Sequence, residues 1–359
     1  MTLSIPVFRP KLVPFTSYAK RFEQIDRERV YTNGGAQLAE LVELIAHRFR
    51  VDSDCVVVGS SATMMLTGAA VVLEADYWFL PSWTFAASAL ALTNAGCGIG
   101  FIDADPSSHV AKISTVPQGS HLMVVAPWGK SLTIGSDYNH VQSLIVDAAA
   151  SIAHPVQYSN DFNGLARTIE VYSMHATKVL GIGEGGFAIV RDKKLARKLR
   201  SWTNFGFDGK RASINPGANA KLSEYSAAIG CETFLQADKE FEEWRSARRL
   251  AQQEESRLEL PSFYSCGTHV SPYWILRLPD GTSVERLAGQ LAANGVESRR
   301  WWGEGCHVMP LFDSFDKVGT LDGTRQAANT SLGLPFSKDF SALEFEAIGS
   351  ALQEALVRS

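Results

Sequence analysis

The chain reads as an α/β protein. A large unit is built on a mostly parallel sheet covered by helices, and a smaller α+β unit follows it. Three observations predict this. Short, near-continuously apolar runs recur through the first half, as expected of strands buried on both faces. Segments with helical spacing or loop composition alternate with those runs. A long charged stretch then separates them from a second, shorter set of strand and helix patterns.

Residues 1–30 contain Pro6, Pro10 and Pro14 and are expected to be irregular. Tyr31, Thr32, Asn33, Gly34 and Gly35 form a turn. Ala36 to Phe49 is an amphipathic helix, with Leu38, Leu41, Ile45 and Phe49 on one stripe. Cys55 to Val58 is an apolar strand, Gly59 to Thr63 a small polar turn, and Met64 to Leu73 a helix. That order points free backbone N–H groups at an anion. The helix dipole adds roughly 0.3–1 kcal/mol for a negative group placed there. A plain N-cap role for Ser60 or Ser61 explains the same residues.

Tyr77 to Leu80 is the next strand, and a helix opens at Ser82 and runs to Ala95. Ile99 to Ile102, Leu122 to Ala126 and Ser143 to Val146 are further strands. Asp103 and Asp147 end the first and last of them, and Pro127, Trp128 and Gly129 form a loop after the middle one. Ile169 to Tyr172 and Phe187 to Val190 are strands around a polar and glycine-rich segment, SMHATKVLGIGEGG. Residues 191–200 form a basic helix whose charges read as a solvated face. Residues 231–258 form a charged helical connector, and the domain boundary is placed within it, giving units 1–240 and 241–359. Beyond it, Tyr273 to Leu278 is a strand, Val284 to Asn294 a helix, Val296 to Trp302 a strand, and Ser341 to Val357 a helix.

Bulk properties narrow the function classes. The 359 residues are 45% hydrophobic and 20% charged, ordinary for a globular protein with a sizeable core. Net charge is −4 with no dominant basic patch, which argues against a nucleic-acid partner. Cys55, Cys97, Cys231, Cys266 and Cys306 are scattered, without a CxxC pair. Neither a disulfide framework nor a metal site is expected, and a reducing cytoplasm fits. No apolar run reaches membrane-spanning length.

Ligands on a parallel sheet gather at the carboxyl ends of its strands. Ala62, Phe85, Asp147 and Lys178 all fall just past such ends. Lys178 sits between an apolar sheet and a loop built to bend, where partial desolvation makes an amine reactive at neutral pH. A solvated loop lysine is the plainer reading of that one residue. Gly181, Gly183 and Gly186 spell GxGxxG, but a strand pattern follows them where a dinucleotide site needs a helix.

SMHATK followed by GEGG resembles the lysine motif of the DegT–StrS family of sugar aminotransferases, which use pyridoxal 5′-phosphate (PLP) on a type I fold. Most of the chain carries the resemblance: the YTNGG turn, the small polar turn, PSWTF, DAA, and the segment from Asn219 to Ala228. It implies that Lys178 holds PLP covalently and that Asp147 keeps the pyridine nitrogen protonated. It places the phosphate at Ala62 and Thr63, where Ala62 stands for a usual glycine and would donate through its backbone N–H. It stacks Phe85 (less so Trp83) on the ring, and adds Ser173 to the cofactor site. Asn219 would reach the phosphate in a neighbouring subunit, so a homodimer with shared sites is implied. One departure is Ala150, where many members carry Gln or His against the ring's hydroxyl side.

The implied reaction moves an amino group from an amino acid, by resemblance L-glutamate, to a keto group of a nucleotide-linked deoxysugar. A PLP-dependent sugar dehydratase is an alternative, but in that offshoot a histidine replaces the lysine. An aminocyclitol aminotransferase and a non-catalytic binding or regulatory protein are the others.

Overall fold

The computed structural model describes residues 4–264 and 269–358; Cys266 lies outside them. Twelve strands are present among these residues: β1 (Val56–Gly59), β2 (Tyr77–Pro81), β3 (Gly98–Ile102), β4 (His121–Val125), β5 (Thr133–Ile134), β6 (Ser143–Asp147), β7 (Gln157–Tyr158), β8 (Thr168–Ser173), β9 (Gly186–Val190), β10 (Trp274–Arg277), β11 (Asp316–Lys317) and β12 (Ser331–Leu334). Eight of them form one sheet in the order β1-β9-β8-β6-β4-β2-β3-β11. Only β9 runs against its neighbours β1 and β8; the remaining pairings are parallel. Strands β6, β8 and β9 are buried along their whole length. That is why β6 and β9 read as apolar runs rather than alternating ones, while β8 carries the buried Glu170 among its apolar residues.

Helices cover both faces. On one lie α2 (Ala36–Phe49) and α6 (Glu224–Leu235), whose Leu41, Ile45, Ala227 and Cys231 join Val58, Val124, Val146 and Tyr172 in one core. On the other lie α3 (Ala62–Val72), α4 (Ala86–Asn94) and α5 (Lys193–Thr203), packed on Val57, Leu80, Met123, Ile145 and Val171. Helix α7 (Ala237–Arg257) spans the expected boundary at residue 240. It leads to β10 and β12, which pair antiparallel, and to α8 (Val284–Ala293), α9 (Asp322–Thr330) and α10 (Ala342–Arg358). Among the described residues no helix is long and apolar enough to cross a membrane.

Two expectations are corrected. Residues 1–30 are not irregular throughout: Phe15–Glu28 is a helix, α1, with Pro14 as its N-cap. The prolines all precede it. Tyr18, Phe22 and Ile25 make its inner stripe, with Ile25 buried and Phe22 packed on Tyr225. Residues 296–302 are not a strand. Val296 bridges to Ile5 and Arg299 to Gly333, but the backbone turns through left-handed conformations at Trp302 (φ 65°) and Gly303. Both indoles of that stretch go into an aromatic cluster instead of a ladder. Helix α9 was not anticipated, nor was strand β12, whose apolar pattern Gly333 interrupts. A Cβ at Gly333 would lie 1.9 Å from Trp301 Nε1, so only glycine leaves room for that indole.

Candidate active site

The parallel strands β2, β4, β6 and β8 end at one edge of the sheet, and a cavity of about 400 Å³ opens there. Ala62, Thr63, Phe85, Asp147, Ser173 and Lys178 all line it. Six of the seven residues singled out in the sequence are thus brought together. Asn219 is not. It is exposed, and its Oδ1 accepts a 2.7 Å hydrogen bond from Lys221 Nζ. Trp83 is buried behind the wall, against Trp302 and His109, and does not face the cavity.

The cavity floor starts at the N-terminus of α3. Ser61 caps it, its Oγ accepting from the Met64 N–H at 3.2 Å and its carbonyl from the Met65 N–H. The N–H groups of Ala62 and Thr63, the donors left over at a helix start, remain for a ligand. Gly186 of β9 makes this turn possible. A Cβ there would stand 2.3 Å from the Ala62 nitrogen, so any other residue would push the helix terminus away.

Asp147 ends β6 and is only 6% exposed. Ser88 Oγ donates to its Oδ2 at 2.7 Å and the Ala149 N–H to its Oδ1 at 3.1 Å; Ser88 is itself bonded to Thr84 at 2.9 Å. Burial pushes the carboxyl above the usual carboxylate range, against the pull of these two donors and of the Lys178 charge. A further cation in the cavity would restore the ionised form.

Lys178 is held by a loop folded back on itself. The Met174 N–H donates to the Gly185 carbonyl, that of Ala176 to Gly183, and that of Lys178 to His175, all within 2.9 Å. Gly183 takes φ 104°, and a Cβ at Gly181 would meet the Ala176 carbonyl at 2.8 Å. The glycine cluster therefore shapes this loop. The Lys178 ammonium donates to the Tyr273 hydroxyl at 2.7 Å. Tyr273 precedes β10. Its N–H donates to Ser271 Oγ, which in turn donates to the Trp128 carbonyl at 2.6 Å, and its ring meets Trp128 and Trp301 edge-on.

Tyr273, Trp128, Trp301, Trp302 and Arg299 were not picked out as site residues, though all line the cavity. The doubled tryptophan was the available signal. Trp128 and Trp302 stack at 4.3 Å and 12°. Trp128 Nε1 donates to His109 Nδ1 at 2.6 Å, and burial pushes the His109 imidazolium down to about 3. Ala150, which departs from the expected motif, also lines the cavity, and its side chain has no polar atom to offer a ligand.

Residues 16–353 match the DegT/DnrJ/EryC1/StrS aminotransferase family. This chain belongs to that family. Among its relatives are protein Rv3402c of Mycobacterium tuberculosis, 25% identical over 99% of this chain and 90% of that one. Another is the dTDP-4-amino-4,6-dideoxy-D-glucose transaminase of Shigella dysenteriae, 23% identical over 97% and 99%. The crystal structure of DesI with its TDP-sugar product superposes with a TM-score of 0.86 at 24% identity, covering 100% of this chain and 94% of that one. The protein is accordingly a PLP-dependent aminotransferase of type I fold. The site's own features suit PLP: a volume in the range of small-ligand pockets, an amine, a buried acid, and an N–H turn at a helix terminus for a phosphate.

Two outcomes follow from this geometry. Tyr273→Phe frees the Lys178 amine from its partner; steady-state kinetics should show kcat lower by roughly tenfold with KM little changed. His109 is held neutral when folded but takes a proton when unfolded below its ordinary value of about 6.5. Its contribution to stability is therefore lost as pH falls from about 6.5 towards 3, at up to about 1.4 kcal/mol per pH unit. Urea unfolding across that range should give a shallower acid loss for His109→Gln than for the wild type; equal slopes would contradict the assignment.

Proposed function

We propose that the enzyme transfers the amino group of an amino acid, L-glutamate as first candidate, to a keto group of a nucleotide-linked deoxysugar. The observation that carries this reading is that one cavity joins the Lys178 amine, the Asp147 carboxylate and the α3 N-terminus. When bound, PLP supplies an electron sink that makes the donor's Cα–H acidic. Lys178 Nζ would hold the cofactor and, once released by the donor, take the proton from the donor Cα; general base help of this kind is worth about 10²–10⁴ in rate. Asp147 would hold a proton on the ring nitrogen, its carboxylate kept in line by Ser88 and Ala149. The Ala62 and Thr63 N–H groups would bind the phosphate, Ser173 would add a hydroxyl beside it, and Phe85, 64% exposed, would cover the ring.

Asn219 is assigned to a neighbouring subunit's site, which makes the working unit a homodimer. Its exposed position outside its own cavity supports this. The segment after residue 240 is assigned to a small C-terminal unit that closes the cavity with Tyr273, Arg299 and Trp301. A cytoplasmic location accords with Cys55, Cys97, Cys231 and Cys306 all being free thiols. The Shigella relative's name, a sugar transaminase, supports the acceptor class.

The test is a panel of amino donors and nucleotide-linked keto sugars. Glutamate should bleach the bound cofactor's visible absorbance, and a nucleotide-linked keto sugar should restore it with formation of an amino sugar. Lys178→Ala should remain folded and lose turnover at least ~10²-fold. Full turnover in that variant, or no acceptor among the sugars, would reject the reading.

A further inference from the structure

We propose that His109 is a positioning residue for the active site: through the Trp128 indole it sets where Tyr273 holds the Lys178 amine. The inference rests on Lys178 carrying the cofactor, and it concerns a side chain that does not itself line the cavity.

His109 is 1% exposed and sits in the loop after β3. That loop is fixed. Asp105 Oδ1 accepts from the Ser107 and Ser108 N–H groups, and the His109 N–H donates to the Asp105 carbonyl at 2.8 Å. Trp128 Nε1 can only donate, so at 2.6 Å His109 Nδ1 is the acceptor and the ring proton lies on Nε2. Nε2 finds no hydrogen-bond partner among the described residues. The backbone of His109 has φ 63°, in the left-handed region that bulky side chains avoid. A buried N–H left unpaired and a strained backbone both count against a histidine that only fills space. The bond to Trp128 is what the imidazole adds over a phenylalanine.

Trp128 passes the constraint on. It is left-handed too, with φ 59°, and so is Trp302, with φ 65°, whose indole stacks on it. Three left-handed residues thus meet in one chain of contacts, and the hydrogen bond from His109 pins the middle one. Strain of this kind persists where the surroundings over-determine it, and it gathers beside active sites. Trp128 holds Tyr273 in two ways. Its ring meets the phenol edge-on at 5.6 Å, and its carbonyl accepts from Ser271 Oγ, which accepts from the Tyr273 N–H. The Tyr273 hydroxyl in turn accepts from Lys178 Nζ at 2.7 Å. Burial, then the charge of Lys130, keeps the imidazole neutral, so Nδ1 remains an acceptor.

The test is the pH midpoint of the visible absorbance of the PLP-loaded protein, which reports the surroundings of the lysine nitrogen. Tyr273→Phe should move it by about half a pH unit or more. His109→Phe, which keeps a ring but no acceptor, should move it in the same direction by a smaller amount. His109→Asn places an acceptor near the position of Nδ1 and tolerates the left-handed backbone, so it should keep the wild-type midpoint. Adding His109→Phe to Tyr273→Phe should move the midpoint no further, because both act through one contact. Asp147, His175, Glu184 and Arg299 line the same cavity and are unchanged in every variant. Should His109→Phe not fold, Trp128→Phe, which removes the indole N–H, is expected to shift the midpoint the same way. A wild-type midpoint in His109→Phe, an equal shift in His109→Asn, or additive shifts in the double variant overturns the proposal. A wild type that gains no visible absorbance with PLP rejects the lysine assignment itself, and this inference falls with it.

Discussion

The register between β6 and β8 is the constraint on which the site depends. The two strands are parallel neighbours, with Asp147 opposite Val171. In β6, Ile145 belongs to the core under α3 and α4, and Val146 to the core under α2 and α6. Asp147 therefore shares the face of Ile145, where Ser88 of α4 reaches it. A slip of one residue would turn the carboxylate to the opposite face and put Val146 in the cavity. Because both strands are buried on both faces, such a slip also misplaces every apolar side chain along them. The hydrophobic packing of the sheet thus fixes the position of a charge that packing alone would exclude.

That charge is expensive where it stands. Burial opposes ionisation of Asp147, and only two hydrogen bonds and the lysine counter it within the free protein. A group that gains its full charge when a cation arrives is suited to hold a protonated ring nitrogen. The tight loop of residues 174–185 does the matching work for Lys178. Its cross-loop hydrogen bonds and glycines bring the amine back over the sheet end.

Much of this was legible in the chain. Buried parallel strands announce themselves by continuous apolar runs, and the residues just after them locate the cavity edge. That position marked Lys178, Asp147 and the Ala62–Thr63 turn as candidates with plainer readings still open, and the resemblance of the motifs to the family singled them out. The aromatic wall was not legible, for a physical reason. Trp128, Tyr273, Trp301 and Trp302 come from distant segments, and Trp128 and Trp302 take left-handed backbone that no periodicity reveals. Helix α1 was hidden behind three prolines, and β12 behind Gly333, whose missing side chain is what seats Trp301. Asn219 stays outside the cavity of its own chain.

The central claim is that one lysine, and no other, faces the cofactor across from Asp147. Borohydride reduction of the PLP-loaded protein followed by peptide mass analysis tests it directly. The account predicts the cofactor's mass on the peptide carrying Lys178. A label on another lysine, such as Lys130 or Lys221, would contradict it.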